Sequence, residues 1–407
     1  MTLASSEFGD DRGNAVQTPA PTAQPRRNPI AARLRAYGTS TRIVGVDIAR
    51  GFAVLGMFGA HIGVTEAFSL GQPDTWLDLV NGRSSILFAV LAGISIAIIS
   101  GRQTPVAGRQ LVRARVRILL RAVLIFAIGA GLQVLDTPIA VILPVYALLF
   151  VITLPFLRWR PRTLFVLAAG LAVVMPVLRV AVFPRLGPGA DENLILDLVV
   201  LGAYPAMVWI CFFLVGIGVG RLDLAALRVQ VTLLLVGTAL AIVGYGAGVV
   251  AGSVFRPDSD SDSDSGVPRP EAYQGSIDSL WTIEPHSGTP FEIVGSTGFA
   301  LAVLAASLLA AHRLRVALFP VASVGAMALT AYAAHVIVLA SLGDEAFAQP
   351  DNGLYLTFLF ATLAVCTLWT ILLGRGPLER LLTWASNTAA STVRSTPESA
   401  PVGRGDS

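Results

Sequence analysis

Residues 42–63 read RIVGVDIARGFAVLGMFGAHIG, an apolar run of helix length into which one aspartate, one arginine and one histidine are set. From Val44 to Ile62 the run is long enough, at 1.5 Å per residue, to cross a hydrocarbon layer about 30 Å thick. Asp47, Arg50 and His61 break its apolarity. At 100° per residue, the eleven positions from Arg50 to His61 bring the two side chains back to within about 20° of each other, and Asp47 lies about 60° from Arg50 on the same side. The three form one polar stripe. An ionisable side chain facing lipid costs about 2.5–3.5 kcal/mol on insertion scales, so the stripe is expected to face a protein interior or a wet cavity. Asp47 and Arg50, at i and i+3, can neutralise each other, while His61 stands about 16 Å further along the helix.

The composition agrees with a membrane setting. Hydrophobic residues make up 54% of the chain and charged residues 14%, against about 25% charge in soluble domains, and the mean hydropathy is +0.70. Ten apolar segments stand out, at about 43–64, 84–100, 116–134, 138–157, 163–183, 198–219, 229–253, 293–311, 319–342 and 354–374. The fold class expected is therefore all-α, a polytopic membrane protein of about ten transmembrane helices. All 29 basic residues are arginine, which excludes a Walker A lysine and a Schiff-base lysine. With the N-terminus cytoplasmic, every arginine except Arg83, Arg179, Arg185, Arg256 and Arg269 falls on the inner side, as the positive-inside rule requires. Both termini are then cytoplasmic.

The expected organisation is a disordered cytoplasmic tail over 1–41, a transmembrane domain over 42–375 with an outer loop insertion at 254–292, and a cytoplasmic C-terminal tail over 376–407. The first 41 residues are polar, Pro-rich and Arg-containing and carry no signal-peptide pattern. Cys211 and Cys366 both fall within apolar stretches and read as buried packing residues. No His or Cys spacing suits a metal ion, so none is expected.

Several other residues invite a functional reading. Arg102, Arg109, Arg113, Arg115, Arg117 and Arg121 form the densest basic run. Its plain reading is a topology signal touching anionic lipid; the sharper one is a cradle for the phosphates of a cytosolic donor, because guanidinium groups bind phosphate bidentately. The first outer loop offers Trp76 and Asp78, and Arg83 stands at the mouth of the second helix. The 254–292 insertion opens with an Asp/Ser tract, Asp258 to Ser265, that reads as a solvated spacer. It then runs through Trp281-Thr-Ile-Glu284-Pro-His286-Ser-Gly-Thr289-Pro-Phe-Glu292, a polar loop fit to fold over an acceptor. Thr330, Tyr332 and His335 in the ninth segment read as interhelical hydrogen-bonding groups, and His312 as a helix-end residue. The glycines of Val215-Gly-Ile-Gly-Val-Gly220 are expected to serve close helix packing.

Arg50 and His61 at the two ends of a first membrane helix resemble the R-x10-H signature of the acyltransferase-3 membrane enzymes. More of the chain is similar to the YeiB-like and heparan-α-glucosaminide N-acetyltransferase-like proteins. The similarity lies in Val46-Asp47-Ile-Ala-Arg50-Gly51, in Asn81-Gly-Arg83-Ser-Ser-Ile-Leu-Phe88 leading to Leu91-Ala-Gly93, and in Leu214-Val-Gly-Ile-Gly-Val-Gly-Arg221-Leu-Asp223. Glu284-Pro-His286-Ser-Gly-Thr289 and Met327-Ala-Leu-Thr330-Ala-Tyr332 extend it, so that it spans about residues 42–375. The resemblance implies transfer of an acyl group, acetyl in that group, from cytosolic acyl-CoA to a hydroxyl or amine of a glycan or glycolipid on the other face. In the heparan-type branch the working histidine lies in the loop after the first helix. This chain has no histidine between Gly63 and Gly82, which leaves His61, with His286 second.

Taken with the residue readings above, the expected site has His61, Arg50, Asp47 and His286 in catalysis, Arg102, Arg109, Arg113, Arg117 and Arg121 on the acyl-CoA, and Arg83, Trp76, Asp78 and Glu284 on the acceptor. The partners expected are acyl-CoA, a glycan or glycolipid acceptor and membrane lipids, with a homodimer as the candidate assembly and no nucleic acid. The all-arginine, Ala/Val/Leu/Gly-rich make-up points to a GC-rich genome and a bacterial plasma membrane. A transporter or flippase is the alternative class, since intramembrane ionisable residues also mark solute paths.

Overall fold

The stretch that carries the polar stripe is a single helix, α1 (Val44–Ile62). In the computed structural model of the chain, residues 42–186, 189–255, 277–343, 347 and 349–391 are described; the tail over 1–41 and the Asp258–Ser265 tract lie outside them. After α1 come α2 (Arg83–Ile99), α3 (Gly108–Gln133), α4 (Leu143–Ile152), α5 (Pro161–Val182), α6 (Leu194–Leu201) and α7 (Ala206–Gly220). Then follow α8 (Leu227–Phe255), α9 (Pro290–Arg313), α10 (Phe319–Ala326), α11 (Ala328–Leu342), α12 (Asn352–Leu372) and α13 (Pro377–Ser391). The described residues contain no strand, so the protein is all-α.

Every apolar segment of the sequence is helical, but the segments are not equivalent. Six helices are long and apolar enough to cross a membrane, or up to eight if each of two bent pairs counts as one span. The first bend, 61°, separates α6 from α7 at Pro205, and the second, 83°, separates α10 from α11 at Met327. Helix α4 has 10 residues, about half the length that a hydrocarbon layer needs. The C-terminal stretch read as a tail begins with a further helix, α13. It lays Leu382, Ser386 and Ala390 against α3 at four-residue spacing and leaves Leu381 and Trp384 exposed.

Helices α1, α2, α7, α9 and the α10–α11 pair carry most of the buried side chains, whereas α5, α8 and α12 are largely uncovered on their apolar faces. Such outer apolar faces are what lipid contact requires. The inner helices approach closely where side chains are smallest. A Cβ on Gly325 of α10 would stand 1.8 Å from the Asp47 carbonyl oxygen, and one on Gly216 of α7 would stand 2.1 Å from that of Val90 in α2. The glycines of the 215–220 run thus do pack against a neighbouring helix, as small residues do in membrane bundles.

Candidate active site

The polar stripe of α1 is engaged at both ends, and at each end another inner helix supplies a partner. At one end Arg50 Nη1 donates to Asp47 Oδ1 at 3.1 Å and to the Gly325 carbonyl at 3.4 Å, and Nη2 donates to Ser95 Oγ of α2 at 3.1 Å. Arg42 closes on the other side of Asp47 at 3.1 Å. Asp47 is 7% exposed, and a buried carboxylate with two guanidinium partners keeps its charge compensated. Arg50 also feels the charge of Glu379 on α13.

The arginines of the 102–121 run divide by position. Arg109, Arg113, Arg117 and Arg121 recur every fourth residue along α3, so they share one side of the helix. The Nε atoms of Arg117 and Arg121 are buried without a hydrogen-bond partner. Arg121 lies within electrostatic reach of Arg50, Arg117 and Arg375. Arg115 is exposed, and Arg102 belongs to the α2–α3 turn, where its carbonyl accepts Arg221 Nη1 at 2.6 Å. Of the basic run, Arg121 thus lies within electrostatic reach of Arg50 at the Asp47–Arg50 end of α1, and Arg102 and Arg115 stand apart from the stripe.

At the other end, His61 Nδ1 lies 2.9 Å from His335 Nε2 of α11, and His335 Nδ1 lies 2.7 Å from the Tyr332 carbonyl oxygen. His61 also lines a cavity of about 440 Å³, within the usual size of small-molecule sites. Across it stand Glu284, His286, Ser287 and Thr289 from the loop before α9, Tyr204 from the α6–α7 bend and Arg179 from α5. The lining on α1 consists of Ala60 and His61 and does not extend to Arg50.

The loop that carries His286 is built around Glu292, which is 3% exposed. One carboxylate oxygen accepts the His286 amide at 2.8 Å, and the other accepts the Gly288 amide at 2.6 Å and the Ser287 hydroxyl at 3.3 Å. His286 and Gly288 both take left-handed backbone, with φ of 65° and 69°, which directs successive amides at one anion. Thr289 caps α9 through the Glu292 amide. His286 packs edge-on against Tyr204, and its Nδ1 is buried without a hydrogen-bond partner. Burial pushes this imidazole down to about 4, so it is neutral near pH 7.

His61, His286 and Glu284 therefore meet in one cavity. Arg83, Trp76 and Asp78 do not line it. Arg83 donates to Tyr245 of α8 at 2.9 Å and to the Asp78 carbonyl at 2.7 Å; Trp76 donates to the Ser69 carbonyl; Asp78 accepts the Phe68 amide. These three shape the α1–α2 loop beside the cavity. Sequence reasoning missed Arg179 and Tyr204, and it placed Glu292 at the end of the polar loop without a role of its own. Arg179 donates to the carbonyls of Val200 and Ser287, tying α5 to the α6–α7 region and to the His286 loop. Its only signal was an arginine late in an apolar segment. His312 meets Gln230 of α8 at 3.3 Å at the end of α9.

An all-helical bundle with lipid-type outer faces, whose inner helices hold an ion pair at one end and a histidine-lined cavity at the other, defines a multi-pass membrane protein with the groups for acid–base chemistry. A family model described as heparan-alpha-glucosaminide N-acetyltransferase, catalytic, matches residues 42–245, half of the chain, and the protein belongs to that family. It is accordingly a membrane enzyme of the acetyltransferase class. The match covers α1 with Asp47, Arg50 and His61, the α3 arginine stripe and Tyr204; Glu284, His286 and His335 lie beyond it. No curated protein matches the chain in a sequence comparison.

Proposed function

We propose that the protein moves an acyl group, acetyl in the first instance, from cytosolic acyl-CoA to a hydroxyl or amine of a glycan or glycolipid on the opposite face of a bacterial plasma membrane. The observation that carries this reading is that His61 and His286 face one cavity, while Arg50 stands on the same helix as His61 and within electrostatic reach of Arg121 on α3. Ten crossings are needed: α1 and the short α4 have to be added to the six long helices and the two bent pairs, and both termini and the arginine stripe are then cytoplasmic and the cavity outer. Residues 42–375 then form the acyltransferase domain, flanked by cytoplasmic segments over 1–41 and 376–407.

In this scheme Arg109, Arg113, Arg117 and Arg121, with Arg102 nearby, hold the phosphates of the donor, and the Arg50–Asp47 pair steadies its pantetheine arm. To bring the thioester to the cavity, the arm has to span the eleven residues, about 16 Å, between Arg50 and His61, through a passage that must open along α1, because the cavity lining ends at Ala60. The acceptor sits in the cavity, with Glu284 orienting it. Its oxygen or nitrogen attacks the thioester carbonyl while His61 Nε2 takes the proton; the C–S bond breaks and the same proton passes to the departing thiolate, giving free CoA. An acyl-His61 intermediate would use the same atom as nucleophile.

Purified protein in nanodiscs, given labelled acetyl-CoA and glucosamine, is expected to release free CoA and labelled N-acetylated product. The His61→Ala variant should lose about a hundredfold or more of this turnover at unchanged yield of folded protein. Full activity in that variant would eliminate the scheme.

A further inference from the structure

We infer that His335 is a positioning residue: it fixes the tautomer of His61 so that the Nε2 lone pair is the one available to the cavity, and it shares the proton that His61 takes up. The inference rests on the proposed role of His61, but its core can be tested without activity.

The chain of hydrogen bonds has a direction. The Tyr332 carbonyl can only accept, so at 2.7 Å the proton must sit on His335 Nδ1. A neutral His335 then has its lone pair on Nε2. That lone pair faces His61 Nδ1 at 2.9 Å, so Nδ1 of His61 must carry the proton. Nε2 of His61 is left as the acceptor, on a ring that lines the cavity. A main-chain carbonyl on α11 thus dictates which nitrogen of a residue on α1 is basic, because the hydrogen bond made by one ring nitrogen of a histidine sets the state of the other.

The rings are arranged for this bond. Their planes lie 9° apart and their centroids 5.1 Å apart, a separation that the 2.9 Å bond plus one ring radius on each side accounts for. The two imidazoles therefore meet edge to edge, with the lone pair and the N–H in a common plane. His335 has little freedom to turn away. It is 3% exposed, with Phe58 of α1 at 4.3 Å on one side and Tyr332 at 5.2 Å on another.

When His61 Nε2 accepts the acceptor's proton, the Nδ1–H···Nε2 bond becomes charge-assisted. The Nδ1 proton can then move along it to His335, which becomes the imidazolium while His61 is neutral and protonated on Nε2. The positive charge is spread over two rings. It returns along the same path when Nε2 gives its proton to the thiolate, so His335 ends each cycle as it began. The other titratable groups that face the pair are His286, Glu284, Tyr204 and Arg179 across the cavity and Tyr332 beside His335.

The chain has four histidines, which makes long-range nitrogen–proton correlation spectra of uniformly 15N-labelled full-length protein tractable. With signals assigned through His61→Gln and His335→Gln, both residues should show the Nδ1–H tautomer at neutral pH. His61 in the Nε2–H form would overturn the inference. In the turnover assay, His335→Phe should lower kcat by about a hundredfold with KM for acetyl-CoA unchanged. His335→Gln, whose side-chain oxygen can still accept from His61 Nδ1, should recover to within about tenfold of the native enzyme. Native kcat in His335→Phe, or a glutamine variant as slow as the phenylalanine one, would also overturn it. If both tautomers are as stated while His61→Ala remains fully active, the proposed function fails and the assignment of the pair stands.

Discussion

The hydroxyl of Thr330, in the first turn of α11, donates to the carboxylate of Glu379 on α13 at 2.6 Å. The other oxygen of Glu379 accepts the amides of Leu329 and Thr330 at 2.9 and 3.1 Å. Because the chain breaks at Met327, α11 begins inside the bundle with its first amides unsatisfied, and an anion placed there meets both the orphan donors and the positive end of the helix dipole. The helix after the last membrane-length segment thereby holds in place the half-helix that presents His335 to His61.

Replacing Glu379 should loosen that half-helix. Glu379→Ala removes three charge-assisted hydrogen bonds from a partly buried site and is expected to cost about 1.5–3 kcal/mol; Glu379→Gln, which keeps the acceptor oxygen but not the charge, should cost less. Thermal unfolding in detergent, followed by the loss of monodisperse protein, gives the comparison. Equal Tm values for native protein and Glu379→Ala would contradict the capping role.

The crossing of α1 and α10 sets a second expectation. A methyl group on Gly325 would sit 1.8 Å from the Asp47 carbonyl oxygen and 2.6 Å from the Gly51 amide nitrogen, both main-chain atoms that cannot swing aside. Gly325→Ala must separate the helices, at about 1–3 kcal/mol or more for overpacking, and it moves the carbonyl that receives Arg50. Gly246→Ala on α8, with open space around it, is the control that should fold as the native chain does. A Gly325→Ala protein as stable as the control would refute the close approach.

Much of this site is legible in the sequence because charge inside an apolar run has few tolerable explanations. Asp47, Arg50 and His61 announce themselves in that way, and their inward-facing partners follow from the cost of lipid exposure. The identity of those partners does not follow. His61 and His335 are 274 positions apart, and helical periodicity says nothing about which two inner helices cross. Tyr332 and His335 therefore read only as interhelical hydrogen-bonding groups. Pro205 is a visible mark of the first bend, but no proline stands at Met327, so the 319–342 segment reads as one continuous helix. Helix α13 is missed for a different reason. Its buried stripe of Leu382, Ser386 and Ala390 is short and mostly small, a weak apolar signal whose stability comes from docking on α3 and from Glu379. Glu292 looks like a residue in the first turn of a helix, and only the fold of the loop before it shows that it organises His286.

That organising role can be tested by an isosteric change. Glu292→Gln keeps the shape of the side chain but turns one of two accepting oxygens into a donor, which then opposes the amide of His286 or that of Gly288 together with the Ser287 hydroxyl. A donor facing a donor in a buried site costs about 1–3 kcal/mol. The expected result is a lower Tm and faster proteolysis between Trp281 and Pro290, with α1 and its ion pair intact. Unchanged protease resistance of this loop would argue that Glu292 does not hold it.

His286 gives the stability curve a pH dependence of known sign. Its imidazole is pushed down to about 4 by burial, whereas in the unfolded chain it titrates near 6.5. Between these values the unfolded state holds the extra proton and the native state does not, so stability is fully present above about pH 6.5 and is lost as pH falls toward 4. His286→Gln removes that contribution. The difference in Tm between pH 7 and pH 5 should therefore be larger for the native protein than for His286→Gln in the same detergent. Parallel Tm curves for the two proteins across this window would mean that the ring is as well solvated in the fold as outside it, and that it does not stand neutral in a dry wall of the cavity.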